Sequence, residues 1–192
     1  ARLVDHLGLE DAGEIIALCT TAQLERLLDE DLWRSRRPGE AERYDPERFA
    51  LWLEVMMEAG EEACARRLAE LPEDLVAYAL HRQAMVVDLD ALALEVAERG
   101  GDDLLEKALD SALGEELDQY RVIARRADGW DALVGVLTVL DRDHHDLLVR
   151  LLERCAAATA DQVDEQGGLL RALTAEETLE VDAAADREDR RA

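Results

Sequence analysis

Apolar residues recur every three to four positions along most of this chain, the spacing that gathers them on one face of an α-helix. Residues 10–19 form a short amphipathic segment through Ile15, Ile16 and Leu18. Thr20 opens the next helix. With Gln23 three residues on, it forms a capping box, in which each residue satisfies an orphan backbone donor of the other. That helix runs to about Trp33 on a stripe of Leu24, Leu27 and Leu28. Residues 34–44 read as a loop. Asp45-Pro46 then restarts helix, with an N-cap and a proline in the first turn, where its missing N–H is no loss. Phe49, Trp52, Leu53 and Met56 line one face, and Gly60 ends it. A short helix reaches Leu71. Pro72-Glu73-Asp74 begins a longer one through Leu75, Tyr78, Ala79 and Met85.

Gly100-Gly101-Asp102-Asp103 is the best candidate boundary. It divides the chain into a helical-hairpin domain over 1–99 and a second helical segment over 102–192, expected to pack on the first as one unit. Residues 104–117 read as helix, with a strand as the alternative. Tyr120 to Arg125 alternates as a short strand does. Asp128-Gly129 is a turn, after which Trp130, Leu133, Leu137 and Leu140 step at helical spacing. Asp143 is predicted to cap the following helix, which carries Leu147, Leu148, Leu151, Leu152 and Cys155. Gly167-Gly168 breaks the chain. Thr174 with Glu177 makes a second capping box, and Asp186 faces Arg190 on the tail helix. Helices with one apolar face and short connections favour stacked antiparallel hairpins. The expected fold class is therefore all-α, leaving room for one small β element near 117–125.

Composition sharpens this picture. At 192 residues the chain buries about 70% of its unfolded surface and needs neither disulfide nor metal to fold. Aromatics make up 4%, so the core is built from Leu, Val and Ala, a mix that favours helix. The formal net charge is −24, from 46 acids against 22 bases, and it divides evenly: residues 1–99 and 100–192 each carry 23 acids and 11 bases. A chain this negative repels phosphate backbones and anionic lipid surfaces, so neither nucleic acid nor direct membrane insertion is expected. Lys107 is the only lysine beside 21 arginines, and asparagine is absent. Cys19, Cys64 and Cys155 are odd in number and fit no metal spacing, as buried thiols of a reducing, cytoplasmic compartment would. The opening at Ala1-Arg2-Leu3, in what reads as mid-helix, suggests a fragment of a longer protein.

Two stretches could carry chemistry. Asp141-Arg142-Asp143-His144-His145-Asp146 offers Asp141, His144, His145 and Asp146 as ligands for a divalent cation, the one cofactor that the sequence admits. The His145-Asp146 doublet also looks like the core of the HD phosphohydrolase signature. That chemistry needs another histidine upstream and a distal aspartate, roles to which only supposition would recruit His81 and Asp164. The plainer reading is a helix N-terminus, with acids at the positive end of the dipole and His145 packing beside Leu148. The second stretch is the one basic cluster: Trp33, Arg34, Arg36 and Arg37, with Arg43 and Tyr44 beyond. Its guanidiniums could dock an anion or an acidic partner helix, with flanking aromatics stacking, or could bridge Glu40 and Glu42. The paired acids, such as Asp29-Glu30-Asp31, read as solvated faces. His6 stands near a chain end, Ser35 and Ser111 have no nucleophile context, and phosphate-binding glycine loops, Gly-x-Ser-x-Gly and His-Glu-x-x-His are absent. Nothing argues for an enzyme.

The order Thr21-Ala22-Gln23-Leu24, then Leu27 through Trp33, then Asp45-Pro46-Glu47-Arg48-Phe49-Ala50-Leu51-Trp52-Leu53-Glu54 to Ala59-Gly60 resembles a bacterial family known only as a domain of unknown function. Its members run TPEQL, LLDLDLW, a loop, then DPERALEWLELLLEAG. The resemblance covers residues 10–85 and loosens after 100; this chain departs from it by the arginine-rich insertion at 34–43 and by Thr21-Ala22 in place of Thr-Pro. The short capped helices also distantly resemble the N-terminal cytoplasmic domain of MgtE-type magnesium transporters. That resemblance implies a right-handed superhelix of helical hairpins and a response to Mg²⁺, and carries over no catalytic residue. Three functions are thereby in view. The first is a non-enzymatic interaction or regulatory module, with a protein partner helix between its hairpins. The second is an acidic divalent-cation sensor. The third is a metal-dependent phosphohydrolase using His144, His145 and Asp146.

Overall fold

A computed structural model describes residues 13–35, 41–99 and 103–173. His6, Arg36, Arg37, the boundary at Gly100-Gly101-Asp102, the Thr174–Glu177 capping box and the Asp186–Arg190 pair lie outside them. In chain order the elements are α1 (Gly13–Leu18), α2 (Thr21–Leu32), β1 (Trp33–Arg34), β2 (Arg43–Tyr44), α3 (Pro46–Ala59), α4 (Glu61–Glu70), α5 (Glu73–Gln83), β3 (Ala84–Asp88), α6 (Leu89–Arg99), α7 (Asp103–Ser111), β4 (Gly114–Leu117), β5 (Tyr120–Ala124), α8 (Trp130–Asp143) and α9 (His145–Gln166). The chain is mostly helical with small antiparallel sheets, and among the described residues no helix is long and apolar enough to cross a membrane.

The chain forms two compact units interleaved in sequence. One takes the described residues up to Gln83 with Ala127–Leu151; the other takes Ala84–Arg126 with the described residues from Leu152.

In the first unit α3 is the central helix and packs on α1, α2, α4, α5 and α8. Its start follows the sequence: Pro46 sits in the first turn, and the Asp45 carboxylate accepts the Arg48 N–H at 3.1 Å. Phe49, Ala50, Trp52, Leu53, Val55 and Met56 are buried along it. Gly60, at φ 140°, stops it with a conformation that side chains rarely adopt. The Thr20–Gln23 capping box starts α2 in both directions: Thr20 Oγ1 accepts the Gln23 N–H at 3.3 Å, and Gln23 Oε1 accepts the Thr20 N–H at 2.9 Å. Leu24, Leu28 and Leu32 are buried, whereas Leu27 is only half-buried. In α1 Ile16 is buried, but Leu18 of the expected stripe stands 86% exposed.

Trp130, Leu133, Val136, Leu137, Val139 and Leu140 form the buried face of α8. The cap expected at Asp143 is corrected here. The helix runs on through Asp143, whose carboxylate is taken by Arg142, and His144 makes the break at φ −141°, ψ 41°. The backbone carbonyl of His144, not an aspartate side chain, receives the first amides of α9, from Leu147 and Leu148, at 2.9 and 3.1 Å.

In the second unit the sheet order is β3-β5-β4, all antiparallel. The expected β element near 117–125 is β5, joined to β4 by a two-residue turn in which Asp118 takes φ 51°. Helix was expected as far as 117, but α7 ends at Ser111 and Gly114–Leu117 is strand; a Cβ at Gly114 would lie 2.5 Å from the Val122 carbonyl oxygen, so the two strands close only over glycine. A second difference is β3. The helix read through Met85 ends at Gln83, and Ala84–Val87 is a strand buried on both faces. A strand covered on both sides shows no alternation, so it reads as the continuation of a helical face. Met85, Val87, Leu105, Ile123, Ala172 and Leu173 form this unit's core, and Thr159 Oγ1 on α9 accepts the outward Val86 N–H at 3.1 Å.

At the head of α8, Gly129 has φ 76°, and a Cβ there would lie 2.6 Å from the Cβ of Ala50. Gly129→Ala combines left-handed strain with a clash against α3 and is expected to destabilise by roughly 2 kcal/mol. Since each kcal/mol moves the midpoint of a chain this size by about 2–4 °C, thermal denaturation should show a fall of roughly 4–8 °C; an unchanged midpoint would contradict the close approach.

Candidate functional site

The last turn of α2 carries Asp31, and its carboxylate collects three donors. Arg34 Nη2 reaches Oδ1 at 2.5 Å; Arg48 Nε and Trp52 Nε1 reach Oδ2 at 2.5 and 2.7 Å. Arg34 Nε also donates to the Asp31 backbone carbonyl at 3.0 Å. Arg48 and Trp52 stand one turn apart on α3, so a single carboxylate ties the end of α2 to both the start of the hairpin and the face of α3. Burial alone would push the Asp31 carboxyl up, but the hydrogen bonds from Arg48, Trp52 and Arg34 outweigh it and hold the group below the ordinary aspartate value.

This clamp sets the exit of the chain into β1. The Asp45 N–H closes the hairpin base on the Leu32 carbonyl at 2.8 Å, and Trp33 pairs with Tyr44 and Arg34 with Arg43 across the two strands. The Trp33 and Tyr44 rings meet edge to face at 5.5 Å. Tyr78, on α5, stacks on Trp33 at 5.8 Å and 12°, and meets Tyr44 edge-on at 5.1 Å. Tyr44 is 9% exposed, and its hydroxyl has no hydrogen-bond partner among the described residues. Burial pushes this phenol well above the ordinary tyrosine range, with the nearby positive charge of Arg82 opposing in part. Tyr78 is 41% exposed, so the triad reaches the surface rather than closing into the core. Arg34, Arg43 and Arg82 are exposed around it.

Of the basic cluster picked out in the sequence, the structure thus joins Trp33, Arg34, Arg43 and Tyr44 on one hairpin. Arg34 bridges Asp31, and Glu40 lies outside the described residues. Tyr78, Arg82 and Asp31 complete the patch and were not foreseen. The signal for Asp31 was present in the spacing of Arg48 and Trp52, one turn apart on one helical face and both able to donate.

The second candidate stretch lies at the α8–α9 junction. Asp141 Oδ1 and His145 Nδ1 are 2.8 Å apart, both groups about half exposed. His145 is therefore at the surface, not packed beside Leu148. Arg142 grips Asp143 through two hydrogen bonds of 2.8 and 2.7 Å and reaches Glu62 of α4 at 3.5 Å. The hydrogen bond from Arg142 lowers the Asp143 carboxyl below its ordinary value. His144 is half-buried and Asp146 exposed. Among the described residues neither joins a group of three close ligand atoms. Cys64 is buried in the first unit, and burial pushes its thiol up to about 12, which removes it as a nucleophile near neutral pH.

Asp31→Asn removes the charge that holds three donors and should lower stability by roughly 2 kcal/mol at pH 7. Because the folded carboxyl titrates below its unfolded value, its stabilisation is complete above about pH 4 and disappears as pH falls through the folded pKa. Denaturant unfolding should therefore show the gap between the two proteins narrowing as pH falls below about 4; a gap that stays constant down to acid unfolding would overturn the assignment.

Comparison with curated proteins and with solved structures returns no match for this chain. The model of a family of unknown function, DUF6178, matches residues 2–172, and the chain belongs to that family.

Proposed function

We propose that this protein is a non-enzymatic interaction module of the cytoplasm, which docks an acidic helical segment of a partner protein on the Trp33–Tyr44–Tyr78 patch. The single observation behind this reading is the patch itself. Three mutually packed rings reach the surface beside Arg34, Arg43 and Arg82 in a chain of net charge −24. Interfaces concentrate their binding free energy in aromatic and arginine side chains, and guanidinium groups recognise carboxylates in a paired geometry. Elsewhere the strong negative charge repels acidic partners, so this surface gains selectivity from its surroundings.

Titration with an amphipathic peptide carrying glutamates at i, i+4 beside leucines tests this. Saturable binding is expected, followed by tryptophan fluorescence. The doubly exposed variant Arg43→Glu/Arg82→Glu should weaken it at least tenfold, or about 1.4 kcal/mol. Equal affinity of variant and wild type, or no binding by either, contradicts the proposal.

A second reading, divalent-cation sensing, draws on the Asp141–His145 pair at the α8–α9 junction, where a carboxylate and an imidazole stand side by side at the surface. It requires Zn²⁺ or millimolar Mg²⁺ to raise the thermal midpoint of wild type and not that of His145→Ala. Equal response of the two proteins removes it.

A further inference from the structure

Tyr44 carries an oxygen that the packing of the hairpin does not use. Its ring is 9% exposed and meets both Trp33 and Tyr78 edge-on. Its hydroxyl is shut off from solvent and has no hydrogen-bond partner among the described residues. A phenol that gives up its hydration on folding and finds no new partner destabilises the folded chain. Phenylalanine would make the same ring contacts without that loss, so the hydroxyl calls for a reason outside the fold.

Its surroundings say what is missing. Asp45, the next residue, turns its carboxylate to the head of α3, where it accepts the Arg48 N–H at 3.1 Å. The Arg82 guanidinium and the Tyr78 phenol lie near enough for their charges to act on the group, yet neither bonds to it. Burial keeps the phenol protonated through the neutral range, so the unpaired group is an O–H donor. Beside it stands a guanidinium, which offers donors only. A donor and a cation side by side lack the same thing, an anionic oxygen.

We infer that the Tyr44 hydroxyl is a specificity-determining donor of the docking surface, left unpaired in the free chain and accepted on docking by a carboxylate of the partner segment, which takes the Arg82 guanidinium on its second oxygen. This contact belongs to the docking proposed above and stands only if that docking does. A carboxylate has lone pairs for both donors, and a hydrogen bond to a charged acceptor away from water is among the strong ones. Arg82 is exposed one turn beyond Tyr78 on α5, so its side chain can turn outward to meet the carboxylate while the three rings keep their packing. A partner with an apolar or basic side chain at that place leaves the hydroxyl unpaired, and a site that holds a buried donor in wait discriminates strongly against such a partner.

Tyr44→Phe is the test, because it deletes one oxygen and keeps the ring. In the free full chain the variant should be more stable than wild type, with a thermal midpoint higher by at least about 2 °C. Toward the glutamate–leucine peptide it should bind about tenfold more weakly, read by tryptophan fluorescence. Changing the peptide's two glutamates to alanine one at a time locates the contact: with one of the two alanine peptides the difference between Tyr44→Phe and wild type should disappear. A hydroxyl with a purely structural role gives no such pairing of higher stability with lower affinity. An unchanged or lowered midpoint means that the hydroxyl is already satisfied in the free chain, by trapped water for instance, and overturns the inference. Equal affinity of the two proteins for the peptide, or a deficit that persists with both alanine peptides, overturns it while leaving the docking itself intact. No binding by wild type removes both.

Discussion

The first unit depends on one carboxylate. Asp31 lies where three elements meet: the end of α2, the first strand of the hairpin and the indole N–H of Trp52 on α3. Apolar packing alone would hold α2 against α3, but it is non-directional and would not fix where the chain leaves the helix. The Asp31 hydrogen bonds are directional. They hold Arg34 back toward α2, and so set the register in which Trp33 faces Tyr44. The indole N–H of Trp52 is part of the same economy. With Trp52 at 0% exposure, its donor would be stranded in the core without this acceptor.

The clamp also determines what the surface offers. Removing Trp33 from the α2 helix places its ring across from Tyr44 and over Tyr78, whereas one more turn of helix would have carried it round toward another face. A cross-strand aromatic pair in a ladder of only two residue pairs gains little from the backbone. Its stability comes from side-chain contact, with the third ring from α5 supplying the rigid wall. The aromatic patch is thus preorganised, and for the docking proposed above the ordering of three large side chains would not be charged against binding.

Helix starts and stops were legible because they are local. The Thr20–Gln23 box, Asp45-Pro46, Gly60 and Gly167-Gly168 act through residues within one turn, and all fall where the sequence places them. The miscalled strand β3 failed for the opposite reason. Ala84-Met85-Val86-Val87 becomes a strand only because β5, some forty residues on, supplies its ladder, and burial on both faces removes the alternation that would have announced it. Asp143 was misread because its neighbour competes for it: Arg142 takes the carboxylate in a two-pronged pair that a local capping rule does not weigh. Half of the aromatic patch was readable, since Trp33 and Tyr44 bracket the same loop. Tyr78 and Arg82 were not, because their place beside that loop is set by the packing of α5 on α3.

The acidic composition bears on the patch as well. Around the hairpin, Arg34, Arg43 and Arg82 stand out against a net charge of −24. For the acidic segment proposed above, that means attraction at one place and repulsion around it. An exposed guanidinium alone holds a carboxylate weakly, since water screens it. Beside three packed rings the same charges stand next to apolar surface, whose burial adds its own free energy when the surface is covered. Apolar shape and local charge must coincide before either can discriminate, and at the hairpin of the first unit they do.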